Sequence, residues 1–146
     1  MQLRVCLSVL FAALTGLASA ATVTPPAAVV VKDAKGVAYA GDATAGEKAF
    51  KQCMICHSTK TGENKIGPTL FGVVGRVAGT TAGYSFSPAN KKSGITWTEQ
   101  ALFDYLENPR VKMPGTKMGY AGLKKPQDRA NLIAYLKTLK AGAKPK

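Results

Sequence analysis

Cys53, Cys56 and His57 form a C-x-x-C-H motif, the spacing that attaches haem covalently to a polypeptide. Two thiols at this spacing can reach two vinyl groups of one porphyrin and form thioethers with them. The adjacent imidazole can then ligate the iron. His57 is the only histidine of the chain, so no other residue can supply an imidazole ligand. We therefore predict one covalent haem c, attached through Cys53 and Cys56, with its iron.

Other interpretations of this motif fit the sequence less well. A structural zinc ion needs a tetrahedral set of ligands, and the one further cysteine is Cys6, far upstream. A thioredoxin-like redox pair needs a βαβ setting, and no strand-rich region surrounds residues 53–57. A disulfide would leave the adjacent histidine without a role.

Residues 1–20 have the organisation of a secretory signal peptide. Arg4 supplies a positive charge, an apolar run follows, and residues 18–20 (Ala-Ser-Ala) are small, as a cleavage site requires. The apolar run is short for a membrane span, which needs about 20 residues, so an uncleaved anchor is the weaker alternative. Cleavage would remove Cys6. We expect export across the bacterial inner membrane to the periplasm, since bacterial attachment of haem c takes place outside the cytoplasm.

The chain is strongly basic. Its formal net charge is +12, and removal of residues 1–20 takes away Arg4 and no acidic residue, which leaves +11. Such a charge steers a protein toward acidic partners and makes association sensitive to salt. Nucleic acid is disfavoured as a partner, because the chain is exported and carries no recognition motif.

We divide the rest of the chain into three parts. Residues 21–41 are predicted to be a flexible or extended N-terminal arm, in which the valines at 29–31 form either a short strand or a segment packed on the domain. Residues 42–141 are the one globular domain, and residues 142–146 are a C-terminal tail. A domain of about 100 residues has a small core, and a buried haem would supply much of the missing apolar volume.

The predicted fold is all-α, with about three main helices, short turns and loops around one haem. A first helix begins at Thr44, where Thr44 and Glu47 form a capping box. A second begins near Thr96 with the similar pair Thr96 and Glu99, and ends at residues 108–109, an Asn-Pro pair.

Two further helical segments follow from similar signals. Residues 87–90 (Ser-Pro-Ala-Asn) predict a short capped turn. The last helix runs from about Pro126 to Lys140, with Asp128 near its start and Lys137 near its end. Its apolar side consists of Leu132, Ile133, Leu136 and Leu139.

A second axial ligand has two candidates. Of the four methionines, Met1 leaves with the signal peptide and Met54 lies between the cysteines, too close to reach the opposite haem face. Met113 and Met118 remain, and methionine more often fills core space than ligates a metal. The irregular loop 114–118 (Pro-Gly-Thr-Lys-Met) can turn a thioether inward, which favours Met118.

Short motifs run in a fixed order through nearly the whole domain. They are 67–72 (Gly-Pro-Thr-Leu-Phe-Gly), 75–76 (Gly-Arg), 89–91 (Ala-Asn-Lys), 94–97 (Gly-Ile-Thr-Trp), 105–109 (Tyr-Leu-Glu-Asn-Pro), 114–118 and 132–136 (Leu-Ile-Ala-Tyr-Leu). Together with C-x-x-C-H, they make the chain resemble the class I cytochromes c, the mitochondrial and bacterial cytochrome c2-like group. The resemblance implies that His57 and Met118 ligate the iron, and that Met113 is apolar wall beside the haem.

The resemblance also assigns roles to polar residues around the haem. It implies that the Pro68 carbonyl accepts a hydrogen bond from His57 Nδ1 and fixes the tautomer of the ring. Arg76 and Trp97 would bond a buried propionate. The polar network near the methionine sulfur would consist of Asn90, Tyr105 and Thr116.

The resemblance also implies one packing contact, and the chain departs from the family pattern at two points. Gly46 and Phe50 would pack on Leu132 and Tyr135 where the first and last helices cross. Phe86 stands where many relatives carry a tyrosine that bonds a propionate, and whether Tyr84 replaces that bond is open. The segment between His57 and Gly67 is slightly shorter than in the mitochondrial proteins.

The function implied is that of a soluble one-electron carrier in a respiratory or related chain, and not an enzyme. A His/Met haem has no open position for a substrate, and methionine ligation raises the reduction potential. The expected partners are acidic redox proteins, either membrane complexes or periplasmic dehydrogenases, with a monomeric chain and no stable membrane insertion after cleavage. The expected basic docking face contains Lys51, Arg110, Lys112, Lys117, Lys124 and Lys125.

Two other functions stay open at this point. A haem enzyme or gas sensor would need an open or readily opened sixth position on the iron. A dedicated subunit of one dehydrogenase or oxidase complex would dock through residues 21–41 and co-purify with its enzyme.

Overall fold

The computed structural model describes residues 28–140 of the 146-residue chain. The predicted signal peptide, Cys6, residues 21–27 and the tail lie outside the described residues. None of the helices within residues 28–140 has the length and apolar character needed to cross a membrane. The elements are β1 (Val30–Lys32), β2 (Ala38–Ala40), α1 (Ala43–Phe50), α2 (Pro88–Lys92), α3 (Glu99–Glu107), α4 (Pro109–Lys112) and α5 (Pro126–Thr138).

The first and last helices, α1 and α5, cross in close contact. A Cβ atom added at Gly46 would overlap the carbonyl oxygen of Asn131 on α5 and lie 2.8 Å from the Cβ of Tyr135. The rings of Phe50 and Tyr135 are 5.1 Å apart between centroids, and Leu132 is fully buried. The predicted crossing is confirmed, and Gly46 lies where no larger residue fits.

The cap of α1 differs from the prediction. The side chain of Asp42 accepts a hydrogen bond from the Ala45 N–H at 2.7 Å, so Asp42 is the N-cap. Thr44 already lies inside the helix, and the predicted capping box of Thr44 and Glu47 is wrong. Aspartate is at least as good an N-cap as threonine, and Asp42 and Thr44 both lie just before the apolar positions of the helix. The local sequence therefore does not distinguish the two caps.

The cap of α3 also lies two residues from its predicted position. Thr98 caps the helix by accepting a hydrogen bond from the Ala101 N–H at 3.0 Å. Thr96 instead forms an isolated antiparallel bridge with Val77, so its backbone is committed to extended structure. That long-range pairing is invisible in the local sequence, which is why the capping pair was assigned to Thr96.

Short helices account for the remaining differences. Ser87 caps α2 through a 3.2 Å bond from the Asn90 N–H, as predicted. Helix α3 ends before the Asn-Pro pair, but a second short helix, α4, begins directly at Pro109. Proline suits this position, since its missing N–H would have no partner there. Helix α5 ends at Thr138 rather than Lys140.

The described part of the expected N-terminal arm is folded. Strands β1 and β2 pair antiparallel as a hairpin. Val29 and Val31 are only 2% and 1% exposed, and the ring of Tyr39 stacks on Phe103 of α3 at 6.1 Å. The valine segment therefore both forms a strand and packs on the domain.

Replacing Gly46 with alanine should weaken the crossing of α1 and α5. Alanine favours helix by about 1 kcal/mol over glycine, but its Cβ would overlap the backbone of α5 and force the helices apart. We expect a net loss of about 1–3 kcal/mol in the free energy of unfolding, measured by denaturant titration of the haem-containing protein. Glu47→Ala, at an exposed position of the same helix, should change it by less than about 0.5 kcal/mol. Equal stability of the two variants would contradict this account.

Candidate haem-binding site

A cavity of about 480 Å³ lies between α1, α3, α5 and the loops that connect them. Its volume is typical of small-molecule and cofactor sites, which occupy about 300–1,000 Å³. The helices contribute mainly apolar side chains to its wall, including those of Phe50, Leu102, Leu106, Leu132 and Leu136. All ten site residues named from the sequence line this one cavity: Cys53, Cys56, His57, Pro68, Arg76, Asn90, Trp97, Tyr105, Thr116 and Met118.

The two cysteines and the histidine lie on one helical turn that continues from α1. The carbonyl of Cys53 accepts hydrogen bonds from the N–H groups of Cys56 at 3.1 Å and His57 at 2.9 Å. Both thiols are free and partly buried. Burial, aided by the nearby charge of Cys56, raises the pKa of the Cys53 thiol to about 11. The turn thus presents two thiols and an imidazole to the same cavity.

His57 is oriented by its neighbours on the 67–68 loop. Its Nδ1 lies 2.7 Å from the carbonyl oxygen of Pro68, so an Nδ1 proton is donated there and Nε2 remains as the nitrogen with a free lone pair. A Cβ atom at Gly67 would lie 2.7 Å from Nδ1, which only glycine avoids. Burial lowers the pKa of His57, although the Pro68 bond opposes this. The neutral ring favoured by burial is the form that ligates a metal.

Met118 enters the cavity from the opposite loop. The hydroxyl of Tyr105 is 3.2 Å from Thr116 Oγ1 and donates to the Met118 sulfur at 3.6 Å, while Thr116 Oγ1 accepts the Met118 N–H at 3.3 Å. Burial raises the pKa of Tyr105, which keeps this hydroxyl protonated. Asn90 is different: its Oδ1 is buried and has no hydrogen-bond partner in the described part of the chain. Two of the three residues of the predicted network are therefore joined, and Asn90 is not.

Arg76 and Trp97 bring polar groups to an otherwise apolar wall. The Arg76 guanidinium donates to the carbonyl oxygens of Thr69 at 2.9 Å and Phe71 at 3.2 Å. Burial lowers the pKa of Arg76, but an arginine retains its charge at neutral pH. A fixed positive charge beside an apolar cavity suits a cofactor that carries carboxylates on an apolar ring.

The structure gives positions to Met113, Tyr84 and Phe86, whose roles near the haem the sequence left open or assigned wrongly. Met113 is 4% exposed and belongs to the protein core, but it does not line the cavity, so its prediction as haem wall is wrong. The hydroxyl of Tyr84 donates to the Ile66 carbonyl at 2.9 Å. That bond engages Tyr84 with the backbone, while its ring packs edge-on against Phe86 at 4.6 Å.

The sequence also missed a hydrogen-bonded pair of side chains in the cavity wall. Tyr120 donates a hydrogen bond from its hydroxyl to Gln52 Oε1 at 3.0 Å, and both side chains line the cavity. The only signal in the sequence is proximity: Gln52 precedes Cys53, and Tyr120 follows Met118 by two positions. Their separation of 68 residues hides the pairing from any local pattern.

Comparison with known proteins identifies the family. Residues 43–140 match the family model described as cytochrome c. The chain belongs to the class I cytochromes c. It is 57% identical over 102 residues to a cytochrome c of Guizotia abyssinica, which covers 68% of this chain and 92% of that protein. It is 53% identical over 106 residues to cytochrome c2 of Rhodopila globiformis, covering 72% and 100%.

A solved structure leads to the same family. Cytochrome cH from Methylobacterium extorquens superposes with a TM-score of 0.65 at 52% identity, covering 67% of this chain and 99% of that one. This cytochrome therefore has the class I cytochrome c fold. The three longer helices α1, α3 and α5 correspond to the expected main helices, and α2 corresponds to the predicted capped turn, whereas α4 and the pairing of two strands into a hairpin were not foreseen. The hairpin precedes the residues that match the family model.

Family membership and the geometry agree on the cofactor. This cytochrome binds haem c, with its iron, covalently through Cys53 and Cys56, and it is a haem-containing electron carrier. The residues present fit that group: paired thiols, an imidazole with Nε2 free, an apolar cavity and the fixed charge of Arg76. The Oδ1 of Asn90, which has no hydrogen-bond partner among residues 28–140, is a further polar atom at the cavity wall.

Changing both Cys53 and Cys56 to serine should abolish covalent attachment. Mass spectrometry of the denatured polypeptide should then give the bare chain. We also expect the haem-free chain to be largely unstructured, because the apolar cavity walls would face water and a group bound only by the native state stabilises that state. Met54→Ser with Ile55→Ser, at exposed positions between the cysteines (53% and 75% exposed), should retain attachment. A well-dispersed NMR spectrum from the haem-free variant would contradict the folding part of this prediction.

Proposed function

We propose that this cytochrome is a soluble one-electron carrier whose haem iron is ligated by His57 and Met118. The observation that carries the proposal is the pairing of these two residues around one cavity. Each is oriented by a polar neighbour: His57 Nδ1 lies 2.7 Å from the Pro68 carbonyl, and the Met118 sulfur lies 3.6 Å from the Tyr105 hydroxyl.

The chain would hold the cofactor at four points. Cys53 and Cys56 would form the thioethers, and His57 Nε2 and the Met118 sulfur would ligate the iron. When bound, the haem supplies a reversible one-electron couple of the iron. The Pro68 carbonyl increases the basicity of the His57 imidazole by accepting a hydrogen bond from its Nδ1–H group. A thioether ligand such as that of Met118 favours the reduced iron and so a higher potential.

The protein around these ligands excludes water and limits motion. The helical part of the wall is apolar, as Leu102, Leu132 and Leu136 illustrate. Several polar groups at the wall are tied to fixed partners, such as the backbone carbonyls that hold Arg76. With His57 and Met118 as its two side-chain ligands, the iron would have no open position for a substrate or a gas. This favours a carrier over a haem enzyme or a gas sensor.

The distribution of charge supports acidic redox partners. Segments 51–66, 76–92 and 110–125 contribute most of the cavity wall outside the helices. They contain eleven lysines and arginines and a single acidic residue, Glu63. A partner with an acidic surface would be steered toward this side of the molecule, and such encounters use small, transient interfaces. We propose membrane complexes or periplasmic dehydrogenases of a respiratory or related chain as partners, and a monomeric carrier.

The location and chain organisation belong to the same proposal. The pattern of residues 1–20 supports a cleaved signal peptide and a periplasmic protein with no stable membrane insertion. We propose residues 42–141 as the cytochrome domain, residues 21–41 as an N-terminal extension and residues 142–146 as a tail.

Met118→Ala should abolish the weak far-red absorption band that marks a bond between methionine sulfur and ferric iron. The reason is that removal of the thioether leaves that side of the iron without its sulfur ligand. Met113→Ala is the matched control, since Met113 is buried in the core but does not line the cavity. The opposite pattern, with the band lost in Met113→Ala and kept in Met118→Ala, would overturn the ligand assignment.

Reversing the charge of Lys117 should slow electron transfer to an acidic partner severalfold at low ionic strength. Lys117 lines the cavity and its Nζ donates to the Ser85 carbonyl at 2.8 Å. The matched control is Lys35→Glu, in the turn of the β1–β2 hairpin, because it alters net charge equally but no hairpin residue lines the cavity. The rates should be measured by stopped flow across a range of salt concentrations. Equal slowing by both variants would leave only a diffuse effect of net charge.

A further inference from the structure

Within the described residues, side-chain hydrogen bonds attach the segment 114–122, which carries Met118, to the rest of the protein at three places. One is the Tyr105 hydroxyl at the base of the loop, and a second is the Lys117 bond to the segment before α2. Within residues 28–140, the third is the one that crosses to the wall of the cysteines and histidine. It joins the Tyr120 hydroxyl to Gln52 Oε1 at 3.0 Å.

Both partners of this third bond are placed to act on the ligands. Gln52 directly precedes Cys53, and its Nε2 donates to the Ala49 carbonyl at 3.1 Å, which fixes the amide against the end of α1. Tyr120 is two residues from Met118. Both side chains line the cavity, so the bond spans the space between its two walls.

We propose that Tyr120 and Gln52 form a latch that positions Met118 against the iron and opposes its displacement by external ligands. The inference rests on the proposed ligation by Met118. An external ligand needs space beside the iron, and movement of the loop that carries Met118 away from the opposite wall provides that space. The hydrogen bond from Tyr120 to Gln52, beside Cys53, must break when the loop moves away from that wall. The bond therefore stabilises the state in which Met118 is bound to the iron over the state in which it is displaced.

The latch depends on the hydroxyl and not only on the aromatic ring. Tyr120→Phe keeps the ring and its packing but removes the donor. A net hydrogen bond at such a partly exposed position changes an equilibrium by about two- to tenfold. The positioning effect should therefore be modest, measurable and dependent on Gln52.

The test is a titration of the ferric haem protein with imidazole, followed by loss of the far-red methionine band. We expect Tyr120→Phe and Gln52→Ala each to raise the apparent imidazole affinity about two- to tenfold. The double variant should show no more than either single change, because residues that act through one bond are not additive. Unchanged affinity in Tyr120→Phe, or fully additive effects, would overturn the latch.

Tyr84→Phe is the matched control. Its hydroxyl also lies at the cavity wall and donates to a carbonyl, that of Ile66, at 2.9 Å. That bond joins two segments that do not include the Met118 loop. Imidazole affinity should therefore stay at the wild-type value in Tyr84→Phe. A rise equal to that of Tyr120→Phe would indicate general loosening of the cavity and would overturn the latch.

The same spectra separate this inference from the proposed function. A wild-type protein without the far-red band, or a band that survives in Met118→Ala, would overturn both the ligand assignment and the latch. A band that depends on Met118 but an imidazole affinity unaltered by Tyr120→Phe would overturn the latch alone.

Discussion

The apolar cavity between α1, α3 and α5 is the feature on which the rest of the structure depends. Side chains such as Phe50, Leu102, Leu132 and Leu136 belong to the protein core and to the cavity wall at once. The core of this small domain is thus built around the space for its cofactor. A covalent haem is then a structural element as well as the redox centre, because it fills the apolar volume that the chain does not supply.

Polar groups in such a cavity need fixed partners, and here the backbone supplies most of them. Two carbonyl oxygens hold Arg76, and the Pro68 carbonyl holds His57. The loops that provide these carbonyls require unusual backbone conformations. Gly72, which directly follows Phe71, has φ of 65°. Irregular loops therefore do the orienting, while the helices supply the apolar wall and the rigid crossing of α1 and α5.

The N-terminal hairpin precedes the residues that match the family model, and it adds to the packed core. Val29 and Val31 are buried, and the ring of Tyr39 stacks on that of Phe103. The Arg129 guanidinium also lies over the Phe103 ring, with its Cζ 4.3 Å from the ring centroid. Arg129 in turn donates to the carbonyls of Leu123 and Lys124, which follow the Met118 loop. The hairpin, α3, α5 and the end of the ligand loop are thus joined by one continuous set of contacts.

The sequence by itself determined the chemistry of the site and the main helices. The C-x-x-C-H motif places its groups within one helical turn, so spacing alone predicts which groups lie together. Ser87 was equally predictable as the cap of α2, because its partner, the Asn90 N–H, is only three residues away. Tertiary structure decided the features that depend on distant partners: the extended backbone at Thr96, the folding of the hairpin and the pairing of Tyr120 with Gln52. Local patterns record short-range sterics and hydrogen bonds, whereas these contacts join residues that only the packed chain brings together.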